Sequence, residues 1–235
     1  MKGVWNNAAA IRESQIESKK DITFWYLFLP LFKSKIKYLK PGNTLEIGSG
    51  TGHLAYELSK IGYDIDAIEP SSEMYKYSFK RNYKGRINYF NLSLEEFVSE
   101  KKYDFIYSHL VVHVINDFDI FLKKVKILSK PGGNILISIP HPCFYNSYKE
   151  MFCANKYEYM KRINTRFDLK ITCDQENVII KIPYYHRPLS YYFNKIIENE
   201  FVIKDFCELY PNIEVQKLYG YKWSVPYYCY IVFQS

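Results

Sequence analysis

The run from Asn43 to Gly52, NTLEIGSGTG, decides how the rest of this chain is read. Leu45 and Ile47 form a short apolar run around one acid, Glu46, and the chain then breaks at Gly48, Ser49, Gly50, Thr51 and Gly52. Beyond it Leu54, Ala55, Leu58 and Ile61 recur with helical period until Gly62, so the stretch predicts strand, glycine-rich turn and helix. Alternate glycines clear the way for a close approach to the backbone, and the helix start offers unpaired N–H groups to a polar ligand. Two other glycine loops do not fit. A nicotinamide or flavin fingerprint needs its third glycine one position later, where His53 stands, and a phosphate-binding loop needs a Lys and a hydroxyl after Gly52 that the chain lacks.

Working outward, a second strand, Asp64 to Ile68, ends on Glu69, where an acid can accept hydrogen bonds from both hydroxyls of a ribose. Pro70 follows, with Ser71 or Ser72 as N-cap of a helix that carries Met74 one turn in and reaches about Asn82. Further strands are predicted at Ile87 to Phe90, Tyr103 to Ser108 and Asn134 to Ile139, with a short helix opening at Leu94 and a longer one from Phe118 to Leu128. Ser129 to Gly133, rich in Pro and Gly, turns the chain into the last of these strands. Upstream, residues 8–20 read as a polar helix and 23–39 as an apolar one that Pro30 interrupts. Residues 140–190 break the alternating rhythm, with strands Phe167 to Cys173 and Asn177 to Pro183 around a turn at 174–177. A helix with the stripe Leu189, Phe193, Ile196 and Ile197 follows Pro188, and strands Phe201 to Leu209 and Tyr227 to Gln234 complete the sheet.

Glu46-x-Gly48-x-Gly50-x-Gly52, Glu69, Asp104-Phe105-Ile106 and Leu128-x-Lys130-Pro131-Gly132-Gly133 occur in one order, and together they resemble the class I S-adenosylmethionine-dependent methyltransferases of the small-molecule type. The resemblance implies an α/β, Rossmann-like, doubly wound seven-stranded sheet, mostly parallel with an antiparallel last strand. It implies one domain over 1–235, with N-terminal lid helices (1–40), a cofactor-binding core (41–140), a substrate cap inserted after the fifth strand (141–187) and the C-terminal part of the core (188–235). S-adenosyl-L-methionine is the implied cofactor and S-adenosyl-L-homocysteine its product. The implied contacts are Arg12, in a Trp5-x-x-x-Ala9-x-x-Arg12 segment, with Glu46, Gly48, Ser49, Gly50, Gly52, Glu69, Pro70, Met74, Ser93 and Ser108. Where many relatives carry an adenine-reading Asp after the third strand, this chain has Asn91-Leu92-Ser93, which moves that role to Ser93 or to backbone groups.

Methyl transfer needs alignment of the acceptor with the methyl group, and a base only when the acceptor is a hydroxyl or a protonated amine. Of the five histidines, His141 and His186 follow strands expected to end over the reacting centre and are the candidate catalytic bases. His113, Tyr185 and Arg187 are the candidate substrate contacts, with Arg187 able to hold an anionic or carbonyl-bearing acceptor. The function expected is methylation of an O or N atom of a small metabolite, a natural product or a sugar-like precursor. An RNA or tRNA methyltransferase and a non-catalytic cofactor-binding homologue are the alternatives. The net charge of +7 is scattered among acids without a basic block, and Ser108-His109-Leu110-Val111 lacks the Asn/Asp-Pro-Pro-aromatic signature, so nucleic acid is not the expected partner. No His, Cys and carboxylate spacing suggests a metal, and the five cysteines read as free thiols. With no signal-peptide core and an apolar run at 22–32 too short to span a bilayer, the chain is expected in the cytoplasm, away from membranes.

Overall fold

The computed structural model describes residues 2–146 and 157–235. Residues 147–156 of the expected cap, Cys153 included, lie outside the described residues. Strands β1 (Thr44–Ile47), β2 (Ile65–Ile68), β3 (Ile87–Phe90), β4 (Tyr103–His109), β5 (Ser129–Pro140), β8 (Val202–Leu209) and β9 (Tyr228–Gln234) form one sheet in the order β3-β2-β1-β4-β5-β9-β8. The first five run parallel, and β9 is antiparallel to both β5 and β8. Every residue of β1 and β2 is buried, as both-face coverage by helices requires.

One face packs under α2 (Leu29–Leu39) and α3 (His53–Ser59), through Phe32, Ile36, Leu54 and Leu58. The other packs under α5 (Phe118–Leu128) and α6 (Leu189–Glu198), through Phe118, Phe121, Leu122, Tyr192 and Ile196. Strand order reverses between β1 and β4, so a crevice opens beyond the carboxyl ends of these strands, where open α/β sheets bind ligands. Helix α4 (Ser72–Phe79) starts at that level, with Ser71 Oγ accepting from the Met74 N–H. Among the described residues no helix is long and apolar enough to cross a membrane.

Two parts roof the crevice. Helix α1 (Lys2–Glu17) lies against α4, and Thr23–Phe28 forms a π-helical turn that passes into α2. Pro30 thus sits in the first α turn, where its missing N–H matters least, and the interruption expected at Pro30 falls one residue before Leu29. The second part is a separate hairpin, β6 (Ile163–Ile171) and β7 (Asp174–His186). Burial alternates along β6, with Phe167, Leu169 and Ile171 facing inward and Arg166, Asp168 and Lys170 outward. Its turn is Thr172-Cys173 and not 174–177, because Asp174 already pairs with Ile171 and its carboxylate is drawn inward to Gln15 and Lys20 of the α1 region.

Three other expectations change. Leu94 opens a turn, not a helix, closed by Ser93 N–H to Glu96 Oε2 at 2.8 Å and Glu96 N–H to Ser93 Oγ at 3.3 Å. Ser129 to Gly133 belongs to β5 as a bulged start: Tyr103 pairs with Ser129 but Phe105 with Asn134, and Lys130 Nζ reaches Asp104 at 2.8 Å. A helix α7 (Ile213–Tyr219), absent from the sequence reading, runs from an Asn212 cap to Gly220 in the left-handed region.

Candidate active site

A cavity of about 490 Å³ fills the crevice, floored by the glycine turn and roofed by α1, the π-helical turn and the hairpin. Its first half is built around residues 46–95. Gly48 and Gly50 have φ of +74° and +56°. A Cβ on Gly50 would meet only Met74 Sδ, at 3.8 Å, so backbone there borders open space, whereas one on Gly48 would come within 2.5 Å of Val111 Cγ2.

Glu69 receives the Gly50 N–H on Oε2 and the Ser71 N–H on Oε1, both at 2.8 Å. Burial pushes its carboxyl up to about 7 against the pull of those two N–H groups. Each oxygen keeps a lone pair for a further donor. Glu46 is 2% exposed and receives the Tyr107 hydroxyl at 3.2 Å. Burial, reinforced by the nearby Glu69, raises it to about 8. Arg12 reaches in from α1, with Nη2 on Asp21 at 2.5 Å and Nη1 on Gln15 at 2.7 Å.

The second half is aromatic and aliphatic, walled by Phe24, Phe28, Tyr145, Tyr228, Leu169 and Ile182. Two histidines border it, His109 at the end of β4 and His113 in the turn that follows. The His109 ring packs 4.3 Å from that of Phe28 and its Nδ1 lies 2.9 Å from Ser138 Oγ. His113 is 9% exposed and its Nδ1 has no partner among the described residues. Burial holds both rings neutral, at about 3.

The sequence matches the family model for a methyltransferase domain over residues 26–170. The chain belongs to the methyltransferase domain family. A ubiquinone biosynthesis O-methyltransferase of Pelagibacter ubique is 34% identical over 109 residues, 45% of this chain and 45% of that protein. The chain thus spans about half the length of the first curated relatives it matches. Among solved structures, an S-adenosylmethionine-dependent methyltransferase from Clostridium acetobutylicum superposes with a TM-score of 0.65 at 15% identity, covering 98% of each chain. The DhpI-SAM-HEP complex superposes at 0.64 with 15% identity, covering 98% of this chain and 94% of that one. The fold is that of S-adenosylmethionine-dependent methyltransferases.

In this methyltransferase domain the expected cofactor contacts Arg12, Glu46, Gly48, Ser49, Gly50, Glu69, Pro70, Met74 and Ser93 all line the cavity. Gly52 and Ser108 do not. A Cβ on Gly52 would lie 2.7 Å from Ser78 Cβ and 2.8 Å from Tyr89 Oη, so its glycine lets α3 and α4 pack together. Ser108 is fully buried and donates to the Ile47 carbonyl at 3.2 Å, tying β4 to β1.

Of the expected substrate-side residues, only His113 borders the cavity. His141 turns outward to Glu208, 2.8 Å from its Nε2, and its Nδ1 accepts the Cys143 N–H. His186 Nε2 is held by the Tyr159 carbonyl at 2.8 Å, and Tyr185 lies beside the Arg187 guanidinium. Arg187 is 4% exposed and donates to the carbonyls of Val112, Ile115 and Asn116. Its fork fixes the loop after β4, and the side chain does not line the cavity.

The sequence reading missed other parts of the site. Asn6 Oδ1 receives the Ser71 hydroxyl at 2.7 Å, fastening α1 to α4. Glu13 and Glu17 of α1 both bind Arg81 Nη2, and His53 Nε2 lies 3.1 Å from Glu17. Among the described residues Glu13, Glu17 and His53 are close enough to share a cation, but Arg81 already supplies that charge.

Proposed function

We propose that this chain transfers a methyl group from S-adenosylmethionine to an O or N atom of a small molecule. The observation that carries the reading is the buried Glu69 carboxylate, held on the glycine turn with lone pairs to spare at the strand-order switch point. The residues fit this cofactor. Open space over Gly50 admits a close approach to backbone, Glu69 suits a pair of ribose hydroxyls, and the acids Glu46 and Glu69 suit a cationic ligand.

When bound, the cofactor supplies a methyl group already activated on a sulfonium. The protein's share is placement. Ser93 and Leu94 border the first half of the cavity, Met74 closes its floor, and Arg12 offers a guanidinium in reach of a carboxylate. The aromatic second half, Phe24, Phe28, Tyr145 and Tyr228, would exclude water and hold the acceptor beside the donated methyl group. Residues 1–40 act as the lid and 141–187 as the cap. The partner is a small molecule, nucleic acid playing no functional part, and the enzyme works in the cytoplasm, where the unbridged Cys143, Cys173, Cys207 and Cys229 stay reduced.

Calorimetry with S-adenosylmethionine, S-adenosylhomocysteine and NAD tests the reading. Binding of the first two and not the third is expected; binding of NAD alone would replace methyl transfer by a redox function.

A further inference from the structure

We infer that the second half of the cavity receives a neutral, largely apolar small molecule bearing one or two hydrogen-bonding oxygens, which His109 and His113 grip. This rests on the methyl-transfer reading and narrows its substrate.

Charge excludes anions. Among the described residues the cations lining the cavity are Arg12 and Lys20; Arg12 is held by Asp21 and Gln15 and, in the methyl-transfer reading, is taken by the cofactor's own carboxylate, and Lys20 faces Asp174 at 3.4 Å. Among the described residues a carboxylate or phosphate acceptor would therefore find no unmatched protein cation in the second half. Arg187, expected to provide that charge, donates to three carbonyls of the loop after β4 and does not line the cavity.

Hydrogen-bond capacity disfavours a sugar. Thr23 Oγ1 and Tyr219 Oη bind each other at 2.8 Å, and the Tyr145 and Tyr228 hydroxyls likewise interact. Among the described residues a polyol would set most of its hydroxyls against Phe24, Phe28, Leu169 and Ile182, which offer them no partners.

The two imidazoles are what remains. Ser138 Oγ accepts the Leu110 N–H at 3.2 Å, and its own hydrogen has His109 Nδ1 as its one acceptor among the described residues. If Nδ1 carried the proton instead, the buried Ser138 hydroxyl would donate to nothing. Ser138 therefore fixes the tautomer with the proton on Nε2, and His109 serves the cavity as a donor, not as a base. His113 adds the unpartnered Nδ1, nine-tenths buried on the same wall. A phenol or an enolisable carbonyl on an apolar frame matches this pair.

Calorimetry on the protein saturated with S-adenosylhomocysteine tests the assignment, using 2-naphthol, 2-naphthoate and methyl glucoside as probes. The naphthol is expected to bind about tenfold or more tightly than either other probe, and His109→Phe to weaken it roughly tenfold. Should that variant not fold, Ser138→Ala, which releases the tautomer, is expected to lower naphthol affinity severalfold while S-adenosylhomocysteine binds as before. Naphthoate or glucoside binding as tightly as naphthol, or naphthol affinity unchanged in the folded variant, overturns the inference. Failure of S-adenosylhomocysteine itself to bind would strike the methyl-transfer reading instead.

Discussion

The two halves of the cavity are made differently. The first is drawn from one stretch of chain, 46–95, and much of it is backbone: positive φ at Gly48 and Gly50, and the N–H groups of Gly50 and Ser71 on Glu69. The second is made of side chains that arrive separately, Phe24 and Phe28 from the π-helical turn, His109 and His113 from the end of β4, Leu169 and Ile182 from the hairpin, and Tyr228 from β9. A backbone-built half tolerates few substitutions and serves one ligand; a side-chain-built half can be re-cut without disturbing the first.

The sharpest way to break that contrast is Gly52→Ala. Its Cβ would be forced against Ser78 and Tyr89 at a φ of +83°, and a stability loss of about 2–4 kcal/mol is expected in urea denaturation. A loss within error would mean that the turn yields as easily as the aromatic wall. Next comes Glu69→Ala, expected to weaken S-adenosylhomocysteine binding by about 2–3 kcal/mol in calorimetry while leaving 2-naphthol binding to the far half nearly unchanged. Equal losses for both ligands would show the halves to be one coupled site.

The third test uses pH. Glu46 and Glu69 have folded values of about 8 and 7 against 4.5 unfolded, so their contribution is full below pH 4.5 and lost as pH rises through 7 and 8. His53, His109 and His113 act oppositely, with folded values of about 4, 3 and 3 against 6.5, and weaken the fold only below pH 6.5. The Tm of the ligand-free protein is therefore expected to fall between pH 6.5 and 8.5, at about 2–4 °C for each kcal/mol. Glu46→Gln should flatten that fall, and an unchanged slope would remove Glu46 from the account. The smallest effect is expected from His141→Gln and His186→Gln, which should cost at most about 1 kcal/mol of stability and alter cofactor affinity less than twofold. A rate loss of a hundredfold or more in either variant would return a base to the cap.

The same contrast governs what could be read from sequence. Spacing at 46–52 and the position of Glu69 depend on neighbours within one strand-turn-helix unit, and such local rules survive without a structure. The far half depends on which way a side chain points after a strand has ended. Pro140 lines the cavity, so the next residue, His141, projects the other way toward Glu208; a count of strand ends reaches the right level and the wrong side. The role of Arg187 was hidden because its carbonyl partners lie at 112–116, and backbone acceptors leave no mark in a sequence. Two signals were present and went unused: the alternation from Ile163 to Ile171, and the Asn212 and Gly220 that bracket α7.

The fastening of α1 has a kinetic consequence. That helix lines the cavity with Trp5, Arg12 and Ile16, and it is tied down near one end by Asn6 to Ser71 and near the other by Gln15 to Asp174 and Glu17 to Arg81. If α1 acts as the lid proposed above, the donor is expected to enter first and the spent thioether to leave last, an ordered cycle that product-inhibition kinetics would check, with its ceiling set by how often the helix lifts. Turnover numbers for good acceptors should converge on one value regardless of their reactivity, and loosening Arg81 should raise that ceiling while weakening retention of the product.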